Sequence, residues 1–108
     1  MQKFFRIGAT MVLLLIAGNA AAEGDVESGR MLADKYCVRC HDVSAEGAFK
    51  TYPPSFASIA VFRDQDQIKS RILFPQLHTP MPQMGFLLNP ENIDDLAAYI
   101  VSLEKGPE

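Results

Sequence analysis

The run Cys37-Val38-Arg39-Cys40-His41 constrains this chain more than any other feature. It contains the only two cysteines in 108 residues, three positions apart, with a histidine directly after the second. Two cysteines exclude a disulfide-dense scaffold, a four-cysteine zinc ribbon and a cysteine-ligated iron–sulfur cluster. A zinc site on Cys37, Cys40 and His41 lacks a ready fourth ligand, since His78 is the only other histidine. A redox-active Cys37–Cys40 disulfide asks for a strand leading into a helix, and no stretch alternates apolar and polar residues as a strand would. A purely structural disulfide closes a very small ring and leaves His41 without a role.

The spacing matches the signature for covalent haem attachment. Two thiols a few residues apart on a helical turn reach the two vinyl groups of the macrocycle. The adjacent imidazole then lies beneath the ring as the proximal iron ligand. One haem c is therefore the expected cofactor, bound through Cys37 and Cys40 with His41 on the iron.

Residues 1–22 read as a secretory signal. Lys3 and Arg6 form a basic start, Ile7 to Gly18 an apolar stretch, and Ala20 and Ala22 put small residues where a signal peptidase cuts. A twelve-residue helix reaches only about 18 Å, well short of a hydrocarbon core of about 30 Å. Membrane contact is thus expected only if this segment is kept as an anchor. No Arg-Arg pair stands in it, so the general secretory route to the periplasm is expected. Cleavage after Ala22 leaves a domain of residues 23–108, with eight basic and thirteen acidic side chains and a formal charge of −5. That acidic balance argues against nucleic-acid binding. An 86-residue domain buries a modest core, and a covalent haem would form much of its apolar centre. Without haem no stable fold is expected.

Three helices are legible. The first begins after Asp25 as N-cap and runs through Val26, Gly29, Leu32, Ala33 and Tyr36 into Cys37. A middle helix follows Asp64, which pairs with Gln67 in a capping-box pattern, carries Ile68, Ile72 and Leu73, and stops before Pro75. The last starts at Asn89-Pro90, with Glu91, Asp94 and Asp95 suiting its positive end. It carries Ile93, Leu96, Ala97, Ile100 and Leu103 and is expected to stop at Gly106-Pro107. Turn-formers fill the intervals, and Phe49, Tyr52, Phe56 and Phe62 in region 44–64 are expected to wrap the haem or join the core. The fold class is all-α, three main helices with long loops around one covalently attached haem.

Residues 24–104 resemble a class I c-type cytochrome, the small monohaem type of the bacterial periplasm. Gly29 stands eight residues before Cys37, where that family places the glycine that lets the first and last helices cross. Tyr99 resembles the aromatic that meets it. Pro54, or its neighbour Pro53, resembles the proline whose carbonyl accepts the second N–H of the ligating histidine. The family places a Met-Pro pair before the last helix, which makes Met81 the sixth ligand, with Met84 as runner-up and His78 as the bis-histidine variant. A thioether is a soft, neutral ligand that raises the potential. Where the family often has an aromatic four residues after the glycine, this chain has Ala33, with Tyr36 nearby.

The resemblance implies a one-electron carrier and no enzyme, since no nucleophile–base pair or phosphate loop appears. Its partners would be a dehydrogenase donor and an oxidase or reductase acceptor. Arg30, Lys35, Arg39, Lys50, Lys69 and Arg71 form either a basic rim for an acidic partner or scattered surface charge. The alternatives are a dedicated cytochrome subunit of a dehydrogenase, with Phe86-Leu87-Leu88 as its interface, and a ligand-binding or sensing haem protein.

Overall fold

The computed structural model describes residues 23–49 and 52–104. The secretory segment, Lys50 and the Gly106-Pro107 stop lie outside the described residues. The described residues are all-α, with α1 at Val26–Tyr36, α2 at Phe56–Phe62, α3 at Gln65–Leu73 and α4 at Pro90–Ser102, and a 3-10 turn at Met84–Phe86.

Local chemistry sets most of the ends. Asp25 accepts the N–H of Glu27 to start α1, and the N–H of Cys37 donates to Ala33 O where it closes. Asp64 and Gln67 form the reciprocal capping box of α3. A second box, Asn89 with Asn92, stands at α4 behind Pro90 in the first turn. The regular part of α4 ends at Ser102, short of the expected stop, with Leu103 as C-cap.

Helix α2 adds a fourth helix to the three that were expected. Phe56-Ala57-Ser58-Ile59-Ala60-Val61-Phe62 has no charged face and several β-branched and aromatic residues, so its pattern is weak. It forms because Ser55 caps it, accepting from Ser58 N, and because Phe56, Ser58 and Ala60 are buried. Phe62 at its end and Phe49 before it, expected to wrap the haem or join the core, point outward instead. Phe62 and Phe49 are both exposed and meet edge to face at 5.7 Å.

Helices α1 and α4 cross in close contact at Gly29. A Cβ there would stand 1.9 Å from Asp95 O and 2.7 Å from Tyr99 Cβ, so only glycine permits the approach. Ala33, one turn further, is fully buried in the same crossing. Tyr36, three residues on, packs at the edge of the core.

Asp95 and Lys69 have structural partners. Asp95 is buried, and its Oδ1 accepts the Asp25 N–H at 2.7 Å, joining the start of α1 to α4. Lys69 on α3 holds Asp94 on α4 at 2.9 Å and Glu23 at 3.4 Å. Among the described residues no helix is long and apolar enough to cross a membrane.

Candidate functional site

The long segment after α1 returns towards α2 and positions His41. The backbone N–H of Phe56 donates to Asp42 O at 2.9 Å, and His41 Nδ1 stands 2.6 Å from Pro54 O. A carbonyl only accepts, so Nδ1 carries a proton and donates it to this bond, which leaves Nε2 as the nitrogen facing away from Pro54. Of the two prolines it is Pro54 whose carbonyl makes this contact, and the Tyr52–Pro53 peptide is cis. The Phe56 ring supports the imidazole at 5.3 Å between centroids, and Tyr99 stands 6.4 Å behind it. Neither support was read from the sequence. The available signal was Phe56 following Pro54 by two positions.

A cavity of about 710 Å³ opens beside this assembly. Cys37, Cys40 and His41 line one side, and Met81 and Met84 also line it. Ile59, Ile68, Ile72, Leu88, Leu96 and Ile100 supply aliphatic wall from three helices and the loop before α4. Cys37 and Cys40 form no disulfide with each other, and burial pushes the Cys37 thiol up to about 11 because desolvation disfavours the thiolate.

The candidate ligands differ in setting. Met81 is half-buried in an irregular loop between Pro80 and Pro82. Met84 is buried, belongs to the core and opens the 3-10 turn, its carbonyl accepting from Leu87 and Leu88. His78 is exposed, has φ of 72° and is not among the cavity residues. Leu88 is buried on the cavity, whereas Phe86 and Leu87 are exposed, so Leu88 faces away from the surface patch expected of it.

The residues fit a haem. The walls are largely aliphatic and aromatic, as a flat apolar macrocycle requires, and two thiols and an imidazole stand together on one side. Among the described residues no three His, Cys, Asp or Glu side chains converge as a direct metal site.

The chain is 33% identical over 98 residues to cytochrome c-552 of Bradyrhizobium diazoefficiens, covering 89% of this chain and 92% of that protein. It is 32% identical over 83 residues to a cytochrome c-553-like protein of Synechocystis sp., covering 77% and 73%. The cytochrome c family profile matches residues 26–104. With its helical fold and the cavity at its Cys-x-x-Cys-His segment, the chain belongs to the cytochrome c family, as a monohaem electron carrier with covalently bound haem c.

Proposed function

We propose that Cys37 and Cys40 hold the haem as thioethers, that His41 and Met81 are its axial ligands, and that the protein carries single electrons in the periplasm between a dehydrogenase and an oxidase or reductase. The observation that carries this reading is the convergence of Cys37, Cys40, His41 and Met81 on one cavity. Cys37 and Cys40 would each supply an S–H for addition across a vinyl C=C, so attachment would need no external oxidant. When bound, the haem supplies reversible one-electron chemistry.

The protein's part is orientation and tuning. Pro54 O accepts from Nδ1, which fixes the His41 ring and strengthens Nε2 as a donor. Met81 is preferred to Met84 because prolines on both sides stiffen its loop, whereas Met84 is committed to core packing. Export rests on the Lys3/Arg6 start, the apolar stretch and the Ala20/Ala22 cleavage pattern.

The test is extraction of the exported protein with acidified organic solvent, followed by peptide mapping. Haem that stays on the peptide containing Cys37 and Cys40, in the periplasmic fraction, is the expected result. Freely extracted pigment overturns the attachment. A second reading, a subunit bound to one dehydrogenase, draws on the exposed Phe74, Leu77, Phe86 and Leu87. Co-purification with an oxidoreductase from native membranes or periplasm would favour it.

A further inference from the structure

The three residues that follow the expected cleavage point are fastened to distant parts of the fold. Glu23 O accepts from Gln65 Nε2 at 2.6 Å, and the Glu23 carboxylate meets Lys69 Nζ at 3.4 Å, both partners on α3. The Asp25 N–H donates to Asp95 Oδ1 on α4 at 2.7 Å, while the Asp25 side chain caps α1. Between them Gly24 has φ of 101°, and a Cβ there would stand 2.3 Å from the Asp94 carbonyl oxygen. Its backbone therefore lies directly against α4, which only glycine permits. Haem binding and electron transfer use none of these contacts.

Gln65, Lys69 and Asp95 stand 42, 46 and 70 residues from their partners in sequence. Contacts of that separation form only once α3 and α4 have come together, because the core must first meet the cost of loop closure. Glu23–Asp25 is thus free in the unfolded chain and docked in the folded one. The difference matters to a peptidase, which takes the residues around its scissile bond as extended backbone. Extended backbone has negative φ, whereas Gly24, two residues beyond the Ala22–Glu23 bond, is held at positive φ between two hydrogen-bonded neighbours. Cleavage of a folded protein then follows the fraction of molecules in which such a segment has opened.

We propose that this strap gates removal of the secretory segment: the Ala22–Glu23 bond is open to a signal peptidase while the domain is unfolded, and closed once α3 and α4 have captured Glu23–Asp25. This rests on the export reading above. The step is a hydrolysis. The Ala22–Glu23 amide C–N bond breaks, water gives its hydroxyl to the Ala22 carbonyl carbon and its proton to the Glu23 nitrogen, and nothing is oxidised or reduced. Because the domain is expected to fold only with haem, attachment of haem ends the period in which cleavage is fast. Chains cut before closure are released as the periplasmic domain 23–108. Chains that close first keep residues 1–22 and the membrane contact that goes with them.

The test uses the full-length, haem-loaded chain, accumulated while the host signal peptidase is reversibly inhibited, solubilised in detergent and then given purified peptidase. Cleavage is timed by gel shift and placed by N-terminal sequencing. Gln65→Ala/Lys69→Met removes both side-chain holds on Glu23 from positions 42 and 46 residues away, so the sequence the peptidase reads is unchanged. Wild type is expected to be cut about tenfold more slowly than the haem-free Cys37→Ser/Cys40→Ser chain. The strap variant should be cut severalfold faster than wild type, with its haem spectrum unchanged. Equal rates for wild type and the haem-free chain, or for wild type and the strap variant, overturn the inference. If the haem-free chain is degraded, the strap variant against wild type decides it. Failure of the export reading looks different: a protein whose N-terminus does not change when the peptidase is inhibited would sink that reading instead.

Discussion

The hydroxyl of Tyr99 donates to the backbone carbonyl of Val43, joining α4 to the segment just after the Cys-x-x-Cys-His motif. The bond is buried, and burial also pushes the Tyr99 phenol up, so it remains a donor. The same ring packs its Cβ against the Gly29 crossing and its edge towards Phe56, which in turn supports His41. One side chain thus couples the helix crossing to the imidazole.

Tyr99→Phe keeps the ring and removes the donor, leaving Val43 O without its partner. Urea unfolding of the ferric protein should show a loss of about 1–2 kcal/mol with the midpoint potential unchanged. A variant as stable as wild type would mean that the bond contributes nothing net.

Gly29→Ala puts a methyl group against a backbone carbonyl, which cannot rotate away as a side chain could. The crossing must open, at a cost of about 3 kcal/mol. A thermal midpoint within a degree of wild type would contradict the tight contact.

Met81 and Met84 should separate by readout. Met81→Ala is expected to lose the iron–sulfur charge-transfer band and lower the potential. Met84→Ala should keep both but lose roughly 2–4 kcal/mol of stability, because it deletes a buried core side chain. The reverse pattern would transfer the ligand role to Met84.

Lys69 is held above its ordinary value of 10.5, first by its hydrogen bond to Asp94 and then by that to Glu23. A raised folded-state value stabilises the fold fully below the unfolded value and ceases to do so as pH rises through the folded one. Wild type should therefore be more stable than Lys69→Met at pH 7, with the gap closing above about pH 10.5. Denaturant midpoints at the two pH values measure it, and a gap independent of pH would show that the ion pairs do not contribute.

Cys37→Ser/Cys40→Ser should give a chain without haem and with little helical circular dichroism at room temperature. A domain this small has a net stability of about 5–10 kcal/mol, and a central cavity of about 710 Å³ deprives its lining of packing partners. A cooperative, wild-type-like melt of the double variant would show that the protein folds around an apolar core of its own.

The sequence by itself determined what depends on near neighbours. Asp25, the Asp64–Gln67 box and Asn89-Pro90 name their helix starts because an N-cap acts within three residues. Cys37, Cys40 and His41 name their cofactor because the attachment chemistry fits within five. Tertiary structure alone decided what depends on distant partners. Helix α2 lacks an amphipathic pattern and forms where Phe56 and Ala60 find a buried face. Asp95 and Lys69 look like solvated charges until the fold brings Asp25 N to one and Asp94 and Glu23 to the other. Pro54 rather than Pro53 meets His41, and Leu88 turns inward while Phe86 and Leu87 stay outside, since a carbonyl direction and a loop's facing are set only when the chain closes on itself.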